Sequence, residues 1–96
     1  MLELEIKLKE FEATKLLNYE KAMSLLEEAH LIAQPKALPH LSVHWKMFLL
    51  AYKYRNWNEF LGQIPRLFLA VPGSLSGKAP QGNVGSTKMG IFEVKK

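Results

Sequence analysis

The sequence predicts an all-α protein of two antiparallel helical hairpins, followed by an irregular, glycine-rich C-terminal tail. Three observations carry that expectation. Apolar residues recur at helical spacing over four successive stretches within residues 2–70. Start and stop residues punctuate those stretches at Asn18, Pro35, Pro39 and Asn56. After Val71-Pro72-Gly73 the periodicity disappears, and residues 71–96 hold five of the six glycines. The expected organisation is therefore a four-helix unit over residues 1–70 and a tail over residues 71–96, packed on it or trailing from it.

The first helix is expected over residues 2–16, with Leu4, Lys7, Leu8, Phe11 and Lys15 along one side. Asn18 then suits an N-cap, and Glu20 falls in the first turn, where the helix dipole favours an acid. From there Tyr19, Ala22, Met23, Leu26, Ala29, His30 and Ala33 follow the i, i+3, i+4, i+7 rule, giving a helix over 19–34. Pro35 stops it. Pro39 fits the first turn of the next, over 39–55, because its missing N–H has no partner to lose there. Leu41, His44, Trp45, Phe48, Leu49 and Tyr52 form the apolar stripe of this third helix. Asn56-Trp57-Asn58-Glu59 has the form of a capping box, and the fourth helix runs from Trp57 towards Ala70. Phe60, Leu61, Ile64, Leu67 and Phe68 are expected inward, with Pro65 kinking the backbone. In the tail, Ile91-Phe92-Glu93-Val94 is the stretch suited to docking.

Aligning Asn18-Tyr19 with Asn56-Trp57 puts the two hairpins 38 residues apart, close to the roughly 34-residue tetratricopeptide period. Ala22 and Ala29 occupy small positions expected of such a hairpin, whereas Phe60 and Leu67 stand where alanines belong in the second. The chain is thus similar to a tetratricopeptide pair in character, with the second hairpin degenerate.

Composition narrows the function classes. Hydrophobic residues make up 48% and charged ones 23% of 96 residues, an ordinary globular balance with core enough for one domain. No cysteine is present, which excludes disulfides and thiolate metal sites. The N-terminal Met1-Leu2-Glu3-Leu4-Glu5 bears acids where a secretory signal bears bases, and no apolar run reaches the roughly 18 residues of a membrane span. A cytoplasmic protein without membrane association is expected. The net charge of +4 is asymmetric: residues 1–34 hold seven acids and four bases, residues 35–96 two acids and nine bases. Lys46 and Lys53 fit a solvated helix back rather than a nucleic-acid surface. Gly73-Ser74-Leu75-Ser76-Gly77-Lys78-Ala79 lacks one spacer, the Ser/Thr after the lysine and a preceding strand, so it is not a phosphate loop.

The chemistry concentrates between Glu27 and Trp45, where all three histidines lie. In an antiparallel pair, His30 falls about one turn before the connection and His40 and His44 in the first two turns after it. Neutral imidazole nitrogens bind zinc, copper, nickel or iron, and a carboxylate can complete the set. Glu27 and His30 form a Glu-x-x-His pair of the kind helical metal sites use, and His40 and His44, four apart, can converge on one ion. The competing reading is that His30 and His44 are core histidines hydrogen-bonded to Glu27 or to backbone.

Four collinear stretches, Leu26-Glu27-Glu28-Ala29-His30, His40-Leu41-Ser42-Val43-His44-Trp45-Lys46-Met47, Gly62-Gln63 and Gly82-Asn83-Val84-Gly85, resemble the bacterial family called domain of unknown function 3703. That family reads Leu-Glu-Arg-Ala-His, His-Val-x-Val-His-Trp-x-Met, Gly-Gln and Gly-Asn-Thr-Gly-Gly in the same order. The resemblance spans about residues 10–90, with Val84 and Ser86 standing in place of Thr and Gly in the last motif. By that resemblance Glu27, His30, His40, His44 and the Gly82-Asn83 turn match the family's signature, which strengthens the site and supplies no reaction. The expectation is a divalent-metal-binding protein, of zinc, nickel or iron class, held by Glu27, His30, His40 and His44, with Gly82 and Asn83 contacting the site from the tail. The alternative is a tetratricopeptide-like module that binds a protein partner and uses its histidines structurally. A metal hydrolase ranks third, for want of a pocket and a base beyond the ligands. Composition does not fix the oligomeric state.

Overall fold

The computed structural model describes residues 2–76 and 85–88. Among these residues are four α-helices: α1 (Leu2–Thr14), α2 (Tyr19–Ala33), α3 (Ala37–Lys53) and α4 (Trp57–Ser76). The all-α expectation holds. Close backbone contact among the helices joins each only to its neighbour in sequence, α1 to α2, α2 to α3 and α3 to α4. The short connections explain this, since three or four residues can only fold a helix back on its predecessor. Tyr54 donates to the Lys15 carbonyl at 2.7 Å and Asn56 donates to the Tyr19 hydroxyl at 2.8 Å, so the first and third connections are tied together at one end.

Helix ends follow local chemistry. The Asn18 side chain accepts from the Lys21 N–H at 3.0 Å, capping α2. Pro39 sits in the first turn of α3, which begins two residues before it. Asn56 accepts from the Glu59 N–H at 3.2 Å and so caps α4. The reciprocal arm of the expected capping box is not made: the Asn56 N–H goes to the Ala51 carbonyl, and the Glu59 side chain turns into the protein. The fourth helix does not end at residue 70 but continues to Ser76. Both of its inner prolines, Pro65 and Pro72, are exposed and seven residues apart on one face. The carbonyls they leave without a donor, those of Leu61 and Phe68, belong to exposed residues, so water can serve them and the helix continues.

The core is built mainly by the first three helices. Leu4 and Phe11 of α1, Met23 and Leu26 of α2, and Val43, Met47 and Leu50 of α3 are buried together. Ala22, Ala29 and Ala33 are fully covered and let the neighbouring helices approach α2 closely. Two expected faces differ. The inner face of α3 is His40, Val43, His44, Met47, Leu50 and Ala51, while Trp45, Leu49 and Tyr52 are exposed. In α4, Leu61 and Phe68 point to solvent, and Glu59, Gln63, Arg66 and Ala70 are buried instead. The helical period was right: His44 is buried as expected and Leu41, Phe48, Phe60 and Leu67 are half-buried, while the other residues expected inward are exposed. Those inward polar side chains of α4 have hydrogen-bonding work at the histidines and at residues 85–88, which outweighs the burial of its own apolar stripe.

Gly82, Asn83 and Ile91–Val94 lie outside the described residues. No helix among the described residues is long and apolar enough to cross a membrane.

Candidate metal centre

His30 occupies the last turn of α2, and His40 and His44 follow one another on the inner face of α3. Folding α3 back on α2 through residues 34–36 brings the three imidazoles together. Their Nε2 atoms lie 3.0, 3.0 and 3.1 Å apart. The rings stand 4.6–4.8 Å apart between centroids, and His30 meets the other two nearly edge-on, at 70° and 75°. All three are buried, 2–4% exposed. Among the described residues these are the side chains grouped as a metal ion would require.

The outer side of His44 and His40 has partners of its own. The Nδ1 of His44 lies 2.7 Å from Gln63 Oε1, an atom that can only accept, so Nδ1 carries the hydrogen and donates. Gln63 is fully buried, and its amide nitrogen donates to Glu59 Oε2 at 2.6 Å and to the Gly85 carbonyl at 2.8 Å. His40 hydrogen-bonds to the backbone of Ala70 in a way that favours the protonated ring, so the ring donates there. Burial pushes both rings the other way and more strongly. The His44 pKa falls to about 4, through desolvation first, then the proximity of His40 and Arg66, against the opposing Gln63 bond. The His40 pKa is also lowered, by desolvation. For His40 and His44, a neutral ring that donates on its outer side presents Nε2 as an acceptor towards the other imidazoles.

Residues 85–88 close over this group. Gly85, at φ +87°, lies against the His30 ring, and a Cβ there would come 2.5 Å from Cδ2. The Ser86 hydroxyl donates to Glu27, and Lys88 Nζ lies 3.2 Å from the other oxygen of the same carboxylate. The Thr87 N–H and hydroxyl donate to Glu59, the hydroxyl at 2.8 Å. Arg66 donates to the Gly62 carbonyl at 2.6 Å and to the Ser86 carbonyl at 3.4 Å. A Cβ on Gly62 would collide with the Thr87 methyl, so a glycine permits the turn to lie this close to α4.

Of the four expected ligands, the three histidines converge, and Glu27 is buried nearby with its carboxylate engaged by Ser86 and Lys88. Glu59 and Arg66 were not singled out for the site from the sequence. The signal was present: Glu59, Gln63 and Arg66 fall at i, i+4 and i+7, a polar stripe opposite the apolar one on α4. Ser86, which stands where the resembled family carries Gly, supplies a hydroxyl that fixes Glu27.

The family described as "Protein of unknown function (DUF3703)" matches residues 2–96. No curated protein and no solved structure matches the chain.

Proposed function

The chain belongs to the DUF3703 family, and we propose that it binds a divalent transition metal ion through the Nε2 atoms of His30, His40 and His44. The observation that carries this reading is the triangle of three buried nitrogens 3.0–3.1 Å on a side. Such a triangle has a radius of about 1.8 Å, just inside the ~2.0–2.1 Å of a zinc–imidazole bond. One proton can be directed well at only one of the other two nitrogens, whereas a cation satisfies all three lone pairs. All-imidazole donors suit zinc, nickel and iron rather than magnesium or calcium, which take oxygen.

Further support comes from what stands behind the ligands. Metal-binding histidines donate their other N–H to an acceptor that fixes the tautomer. His44 does so to Gln63, and Gln63 passes the contact on to the Glu59 carboxylate. Glu27 and Glu59 bring negative charge into the same region, and both are buried and hydrogen-bonded to the 85–88 turn. On this reading Glu27 acts as an anchor for that turn rather than as a ligand.

Elemental analysis of protein purified without a polyhistidine tag should find zinc, nickel or iron at about one per chain. Zinc at a hundredfold excess over its Kd should stabilise the native state by about 2.7 kcal/mol, on the order of 10 °C in Tm. His40→Ala and His44→Ala should each remove that rise. A chain that carries no metal and melts at the same temperature with or without added zinc, nickel or iron would refute the proposal.

A further inference from the structure

The outer face of α4 is apolar and exposed among the described residues. Trp57, Leu61, Ile64, Phe68 and Leu75 fall along one side of the helix, opposite the buried Glu59, Gln63 and Arg66. Leu61 is 62% exposed, Phe68 79% and Leu75 76%. The neighbouring side of α3 continues the surface with Trp45, Leu49 and Tyr52, each exposed by nearly half or more. Ring contacts join the two helices into one sheet of aromatic groups: Trp45 stacks on Phe48, Phe48 on Phe60 at 4.3 Å, and Phe60 meets Trp57 at 5.6 Å. A contiguous apolar patch of this extent is larger than a soluble monomer ordinarily leaves in water.

We infer that this face is the two-fold contact of a homodimer. The exposed portions of these side chains amount to roughly 1,000 Å² per chain, judged from the ~150–250 Å² that a large aromatic side chain can bury. A stable interface needs about 800 Å² from each partner. The charged residues of α4, Glu59 and Arg66, are buried on its opposite side and Lys46 and Lys53 of α3 fall at the edge of the patch, so a two-fold axis through the α4 stripe opposes no like charges. The dimer also accounts for the orientation of α4. Its polar stripe is held by the histidines and the 85–88 turn, which leaves its apolar stripe to be buried by a second copy. This inference stands independently of the metal.

Sedimentation equilibrium of the full chain tests it, from about 1 to about 100 µM, where interfaces of this size either hold or dissociate. The expected mass is twice the 11.0 kDa of the chain. The only two tryptophans, Trp45 and Trp57, both lie in the patch, so their emission should shift to the red on dilution as the dimer parts. The double variant Leu61→Lys, Phe68→Lys should sediment as a monomer with the helical circular dichroism of the parent. Should that variant lose helix, Leu75→Lys alone supplies the comparison and should weaken association at least tenfold. A parent chain that sediments at 11.0 kDa throughout would overturn the inference. So would a folded patch variant that dimerises as the parent does. A parent that stays monomeric and instead binds vesicles of anionic lipid would overturn it in favour of a membrane surface.

Discussion

His44 illustrates how much one side chain is asked to do. It is nearly fully buried, its outer nitrogen donates to Gln63, and its pKa is lowered to about 4 from an ordinary 6.5. Between those two values the unfolded chain binds a proton that the folded chain refuses, so stability rises with pH across this window. In metal-free buffer the protein should therefore lose stability as pH falls from about 6.5 towards 4, by up to about 1.4 kcal/mol per pH unit for one such group. His44→Ala should flatten that part of the profile, and chemical denaturation at a series of pH values would show it. Gly85 makes a second residue-level demand. Any side chain there meets the His30 ring and must also adopt a positive φ. Gly85→Ala should cost about 1–3 kcal/mol in a thermal melt and blunt the response to zinc. Gln63→Leu removes the acceptor behind His44, and zinc affinity by competition titration should fall about 10–100-fold.

At the scale of the helices, the end of α3 is informative. Arg55 has φ 57°, and the chain turns there with Arg55 N–H bonded to the Tyr52 carbonyl and Asn56 N–H to the Ala51 carbonyl. That is the Schellman arrangement, with arginine where glycine is the usual occupant. Arg55→Gly should raise stability by about 0.5–1 kcal/mol, visible as a higher Tm, because glycine escapes the left-handed penalty. Helix ends of this sort were legible in the sequence wherever a side chain makes the cap itself, as Asn18 and Asn56 do. The inner faces were less so. Helix α3 is apolar on two sides, Val43 and Met47 on one and Trp45 and Leu49 on the other, and periodicity alone does not choose between them. In α4 hydrophobicity pointed the wrong way, because Glu59, Gln63 and Arg66 are buried by partners 20 to 28 residues away at Gly85, Ser86 and Thr87. The convergence of His30, His40 and His44 could be read because it needs only helical spacing and a tight connection. The closure by residues 85–88 was signalled by the family resemblance alone, through the motif that ends at Gly85, since no periodicity links that turn to α4.

For the molecule as a whole, the three histidines join what the chain would otherwise leave loosely coupled. Backbone contact links consecutive helices only, yet the histidines and their supports draw on α2, α3, α4 and the 85–88 turn together. A metal ion bound there should therefore protect amides of all three helices from hydrogen exchange, and not α3 alone. Because the chain has only three histidines, their count also makes the ligand set checkable in a single experiment. X-ray absorption at the zinc edge, on tag-free protein loaded with one equivalent, reads that ligand set. Three imidazole nitrogens at about 2.0–2.1 Å are expected around each zinc. A first shell of oxygen atoms with two or fewer imidazoles, or zinc left in solution, would contradict the three-histidine site.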